Sequence, residues 1–231
     1  MDYSTNQTEP DFQTFFRGWI TRLELYLSQL LHLLQFPDHE NESKLHLQLV
    51  RQVMTHYHDY FLAKAQISSQ NVFLVLSPPW LSSYERTFLW LAGFKPGLAI
   101  YVVKSCGIQL NTNQSDRMDR LTAEIKNEES KITERLALLE QQILAPPMLA
   151  LARMGGREVN GMAHNVDTAI DRLADDMECL VTCADYLRQK TVTKVIEILT
   201  TSQSVRFLAG VAQLQLRIRR WGQLRDAEAH G

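Results

Sequence analysis

Two histidines and two cysteines come closest to the spacing of a chemical site. His56 and His58 lie in HYHD, and Cys179 and Cys183 lie in ECLVTC. Imidazole nitrogens and thiolates are zinc ligands, and ligands drawn from one helix sit three or four residues apart. The histidines are two apart, so on a helix they project in different directions and do not share a metal. The cysteines are four apart and share a face. Helix geometry holds their Cα atoms about 6 Å apart with parallel side chains, so a disulfide would require distortion. They read as structural thiols, because a free cysteine behaves as a small hydrophobe. Gly155-Gly156, in RMGGREVNG, lacks the P-loop and dinucleotide patterns and any preceding strand, and reads as a connector. H-E-x-x-H, G-x-S-x-G and C-x-x-C are missing, and the seven histidines are scattered. The expectation is a non-enzyme with no metal and no cofactor.

One charge feature stands out. Arg206, Arg217, Arg219, Arg220 and Arg225 accompany the last apolar pattern, with no acid between Ile198 and Arg225. A basic amphipathic helix suits calmodulin, anionic lipid or nucleic acid. A solvated basic edge near a helix C-terminus, where arginine complements the dipole, is the simpler reading.

The elements that would position these residues are all helical. The first pattern runs Phe12, Phe15, Phe16, Trp19, Ile20, Leu23 and on to Leu34, a wide apolar face. Thr8 is its expected N-cap, Pro10 sits in the first turn, and Phe36-Pro37-Asp38 ends it. Ser43 is the expected start of the second helix, whose apolar face includes Val53, Tyr57 and Tyr60. Another helix is expected from Pro96 to Cys106. Ser115 is expected to cap a long helix reaching Leu144, with a seam of Met118, Leu121, Ile125, Ile132, Leu136, Leu139 and Ile143. Glu128 interrupts that seam, which favours a bundle helix covering one neighbour over coiled-coil self-association. After Pro146-Pro147, a helix over Ala163–Thr191 turns Ile170, Leu173, Met177, Leu180 and Leu187 inward, and the apolar pattern continues over Val192–Leu199 until Thr200-Thr201 breaks it. The last helix, Ser202–Arg225, turns Phe207, Leu208, Val211, Leu214, Ile218 and Trp221 inward. The fold class is all-α, a bundle of about seven or eight helices with no sheet. The expected domain covers residues 10–226, between tails 1–9 and 227–231, with loops at 36–43, 107–115 and 145–162.

The stretch FLVLSPPWLSSYERTFLWLAGFKP, Phe73 to Pro96, is the packing centre. Ser77-Pro78-Pro79 breaks the preceding run. Ser82 and Glu85 form a capping box that opens a helix burying Phe88, Leu89, Trp90 and Leu91. Gly93 is expected to end it in the left-handed conformation.

Composition bounds the class. The chain has 231 residues, 45% hydrophobic, and a formal charge of −2, so no global charge pulls it toward nucleic acid or membrane. Three cysteines, Cys106, Cys179 and Cys183, and a polar, acidic start argue for free thiols in a reducing compartment, nucleus or cytoplasm. No apolar run approaches the roughly 20 residues of a membrane span. The three N-x-[ST] sequons end at Thr8, Ser43 and Ser115, and read as N-caps.

SPPWLSSYERTFLWLAGFKP, with its Pro78, Pro79, Trp80, Ser82, Glu85, Trp90 and Gly93, resembles the signature of the plant Delay-of-Germination domain. That domain also forms the C-terminal half of TGA-class bZIP transcription factors. Three more segments resemble the family in the same order: FxxFFxxW at Phe12–Trp19, RQVMTHYHDYFLAKA at Arg51–Ala65, and Ala184–Asp226.

The resemblance implies a regulatory adaptor in plant hormone, seed-dormancy or developmental signalling. It acts by binding proteins, with type 2C phosphatases or bZIP factors as partners, and is expected to form a homodimer. The phosphatase contact belongs to the family's N-terminal region, which corresponds to Asp11, Phe15 and Trp19 here. About ten residues precede the first motif, too few for a basic region and zipper, so direct sequence-specific DNA binding is not expected. An alternative is a transcriptional co-regulator reaching DNA through a bZIP partner. A further alternative is a lipid- or calmodulin-binding module using Arg217, Arg219 and Arg220. The family's dormancy regulator binds haem through two histidines ahead of a Trp-Gly pair. The matching positions are Gln215 and Arg219, ahead of Trp221-Gly222, so no haem is expected there.

Overall fold

The computed structural model describes residues 5–35, 40–143 and 163–229. These form eight helices and, among the described residues, no strand. They are α1 (Thr5–Leu33), α2 (Glu40–Gln70), α3 (Val72–Leu76), α4 (Ser83–Arg86), α5 (Gly97–Ser105), α6 (Thr112–Ile143), α7 (Ala163–Ile198) and α8 (Thr201–Ala229). Helices α1, α2 and α8 pack on one another, α6 packs along α7, and the short α5 bridges α6, α7 and α8. One apolar core runs through both groups, from Trp19 and Leu23 through Val53 and Val103 to Leu180 and Phe207.

Caps set most of the starts. Asn71 accepts from the Leu74 amide to open α3. Asn111 and Gln114 exchange reciprocal backbone-to-side-chain bonds at 2.9 and 3.1 Å, a capping box opening α6. Asn111 therefore caps α6, and Ser115 lies within the helix. Thr200 and Gln203 repeat the arrangement at α8. The carboxylate of Glu129, on α6, accepts from the Gly97 amide at 2.7 Å and holds the start of α5.

Several expected boundaries move. Helix α1 begins at Thr5, so Thr8 and Pro10 lie inside it. Helix α2 begins at Glu40, before Ser43. The side chains of Thr8 and Ser43 lie outside the described residues, as do Phe36-Pro37-Asp38 and the connector 145–162. Helix α7 runs on past Thr191 to Ile198, in keeping with the apolar pattern that continues over Val192–Leu199, whereas α8 extends beyond Arg225 to Ala229.

The largest correction is in the central stretch. Helix α4 is one turn long and stops at Arg86, well short of Gly93. Phe88 is 42% exposed rather than buried. The left-handed conformation falls on Leu91 (φ 46°) and Ala92 (φ 63°), and Gly93 does not adopt it. Non-glycine residues pay for this conformation, so surrounding contacts must impose it.

Two expected inward positions also face solvent: Ile170, and Trp221 at 52% exposure. Gly222 takes the buried place next to Trp221.

Candidate functional site

The segment Trp90–Pro96 is bound from three helices at once. Lys64, on α2, donates to the Ala92 carbonyl at 2.7 Å and to Asp185 of α7 at 2.9 Å. Arg188, also on α7, donates to Asp185, to the carbonyls of Phe94 (2.7 Å) and Leu91 (3.0 Å), and to that of Trp90. Its guanidinium lies 5.5 Å from the Trp90 ring centre, and the indole Nε1 donates to Thr133 of α6. Four consecutive or near-consecutive carbonyls thus point at two buried cations. That explains the backbone at Leu91 and Ala92. It also explains Gly93: a Cβ there would come within 2.8 Å of the Arg188 guanidinium.

Two cations share one carboxylate in this cluster. Lys64 is 2% exposed. Burial lowers its pKa to about 8, opposed by Asp185 and helped by Arg188. Burial also lowers that of Arg188, again opposed by Asp185.

The capping box of the signature is fastened to α8. The Ser82 amide and hydroxyl both donate to Glu85 Oε2, at 2.8 and 2.7 Å. Glu85 Oε1 accepts from Arg219 at 3.3 Å, and the Arg219 guanidinium lies 5.0 Å from the Phe16 ring centre. Gly222 lets the helices meet, since a Cβ there would fall 1.9 Å from the Ser82 hydroxyl. Asp226 closes the contact by accepting from the Ser83 amide and hydroxyl.

Between these two fastenings lies a cavity of about 480 Å³, lined largely by apolar side chains. Phe16, Trp19, Tyr60, Trp80 and Ile218 supply apolar wall, and Lys64, Glu85, Arg188 and Gln215 supply polar groups. Tyr57 donates to Gln215 at 3.2 Å, and burial pushes the Tyr57 and Tyr60 phenols up. Trp80 packs on Phe12 at 4.5 Å, and its buried Nε1 has no hydrogen-bond partner among the described residues. Of the double proline, Pro78 is buried and Pro79 exposed.

The residues singled out from the sequence divide accordingly. Trp19 is fully buried, stacked on His56 at 4.7 Å and donating to the His56 carbonyl at 2.8 Å. Phe15 is half-buried beside Phe12 at 5.7 Å. Arg219 and Gln215 are engaged in the packing just described, whereas Arg217 and Arg220 are exposed. His58 points away from His56, to Gln189 of α7. Cys179 and Cys183 are free thiols facing Arg135, at 3.7 and 3.9 Å.

Lys64, Asp185 and Arg188 went unnoticed in the sequence. The signal was present: Lys64 continues the stripe Val53, Tyr57, Tyr60, and a cation on an apolar face needs a buried partner.

A family model described as seed dormancy control matches residues 26–105. That span holds Lys64 and the whole signature stretch. Over 215 residues the chain is 33% identical to Protein RESPONSE TO ABA AND SALT 1 of Arabidopsis thaliana, covering 90% of this chain and 93% of that protein. The chain belongs to the DOG1 seed-dormancy family. Within the DOG1 family it is also similar to Protein DOG1-like 4 of Arabidopsis thaliana, 30% identical over 100% of both chains. The weaker similarity to Transcription factor TGA1 of the same plant, 27% identical, covers 90% of this chain and 54% of that protein. The DOG1-family chain thus spans about half of the transcription factor. Among the described residues, no helix is long and apolar enough to cross a membrane.

Proposed function

We propose that this protein is a non-enzymatic regulatory adaptor, acting by protein–protein binding in abscisic-acid, salt or seed-dormancy signalling. Near-complete coverage of a relative named for its response to ABA and salt carries this reading. The division of the family residues supports it. Those of the signature and of α8 that face inward build the scaffold. Phe15 at the α1 edge, with Arg217 and Arg220 on α8, retains surface for a partner. Type 2C phosphatases are the expected partners, the protein acts as a homodimer, and it resides in nucleus and cytoplasm. Capture of seed-extract proteins on the immobilised chain tests this, with phosphatase enrichment measured for wild type and Phe15→Ala. Enrichment that falls in the variant supports the adaptor. Absence of phosphatases from the wild-type capture removes it.

A second reading is a transcriptional co-regulator working with bZIP factors. The similarity to Transcription factor TGA1 favours it. In that case the same capture enriches bZIP factors, and the protein retains promoter DNA only when they are present.

A further inference from the structure

A second cavity, of about 630 Å³ and open to solvent, runs between α1 and α2. Three cations line it, Arg22 from α1 with Lys44 and Arg51 from α2, against one carboxylate, Asp59. None of the three cations makes an ion pair among the described residues. Three exposed cations around one open cleft, against a single carboxylate, give it a positive potential that attracts an anion.

His56 also lines this cleft. It is 4% exposed, held between Trp19 and the Tyr26 ring, and its Nε2 has no hydrogen-bond partner among the described residues. A buried polar atom left unpaired is costly and calls for an explanation. Burial and then the Arg22 charge lower its pKa to about 4, opposed by Asp59. The imidazole is therefore neutral at physiological pH and adds no attraction for Asp59 or for the anion.

The spacing indicates what the cleft accepts. Lys44, Gln48, Arg51, Thr55 and Asp59 recur at three- and four-residue steps on one face of α2. Lys44 and Arg51 are seven residues apart, about 10 Å along the helix axis. Charge spread over that distance suits a ligand with several anionic groups rather than a single ion. Guanidinium forks match phosphate oxygens in pairs, and the cleft has the volume typical of small-molecule sites. Asp59 at one end repels an anion and accepts a hydroxyl. We propose that the α1–α2 cleft binds a small molecule carrying two or more phosphate groups and free hydroxyls, held by Arg22, Lys44 and Arg51.

Titration calorimetry of the full chain with inositol trisphosphate, which keeps free hydroxyls beside its phosphates, as probe, at about 0.1 M salt, tests this. Saturable one-to-one binding is expected. It weakens roughly tenfold or more when Arg22→Gln and Arg51→Gln are combined, and is unchanged by Arg217→Gln with Arg220→Gln. The substituted arginines are exposed, so melting temperatures of both variants should match wild type. No saturable binding, loss in the α8 variant in place of the cleft variant, or equal affinity for citrate would each overturn the assignment.

Discussion

Lys64 of α2 and Asp185 of α7 form an ion pair at 2.9 Å, 121 positions apart in sequence and almost wholly buried. The same Asp185 oxygen accepts from Arg188. One carboxylate thus serves two cations, and both cations go on to hold the carbonyls of the segment that carries the family signature.

Removing the carboxylate should be far worse than removing a cation. Asp185→Asn leaves Lys64 and Arg188 buried without a counter-charge, a loss of about 3–5 kcal/mol. Lys64→Met leaves the Asp185–Arg188 pair intact and fills the space with an apolar chain, and should cost less than half as much. Urea denaturation of the two variants checks the order. Equal losses would contradict this assignment of roles.

The α8–α4 contact predicts a non-additive pair. Gly222→Ala places a methyl group 1.9 Å from the Ser82 hydroxyl, and overpacking of this kind costs about 1–3 kcal/mol. Ser82→Ala loses the α4 cap, at about 1 kcal/mol. It also removes the atom that Gly222→Ala strikes. The double variant should be more stable than the sum of the single losses allows, as measured by a double-mutant cycle.

His56 gives a pH dependence with a definite sign. Its folded pKa is about 4 against an ordinary 6.5. Between these values the unfolded chain binds the proton and the folded chain does not, so stability rises with pH across that window. The contribution is complete above about pH 6.5 and is lost as pH falls toward 4, amounting to at most about 3 kcal/mol. Chemical denaturation at pH 4.5 and 7 should show a smaller difference for His56→Phe than for wild type. An identical difference would exclude His56 as its source.

The thiols should label in order. Cys179 is exposed, Cys183 half-buried, and burial raises the pKa of the half-buried Cys106. A thiol reagent should reach Cys179 first and Cys106 last, with mass spectrometry assigning the sites.

The fold was legible because its helices carry long apolar stripes and local caps. Ser82 and Glu85 are three residues apart, so their reciprocal cap could be read directly. The end of that helix could not. Glycine is the usual left-handed residue, which pointed to Gly93, but Leu91 and Ala92 take that conformation under bonds from Lys64 and Arg188, which lie far away in sequence. Trp221 failed for a related reason. Periodicity favours burying the larger side chain, yet α8 approaches Ser82 too closely for any side chain, so Gly222 faces inward. The α1–α2 cleft needed the pairing of the two helices, because Arg22 and Arg51 look like ordinary solvated charges when each helix is read alone.

The adaptor reading is tested most directly by surface plasmon resonance between the purified chain and a purified plant type 2C phosphatase. Saturable binding that weakens in Phe15→Ala, with an unchanged melting temperature, is the predicted result. No binding to phosphatase, with bZIP-dependent retention on promoter DNA instead, would contradict the account and establish the co-regulator.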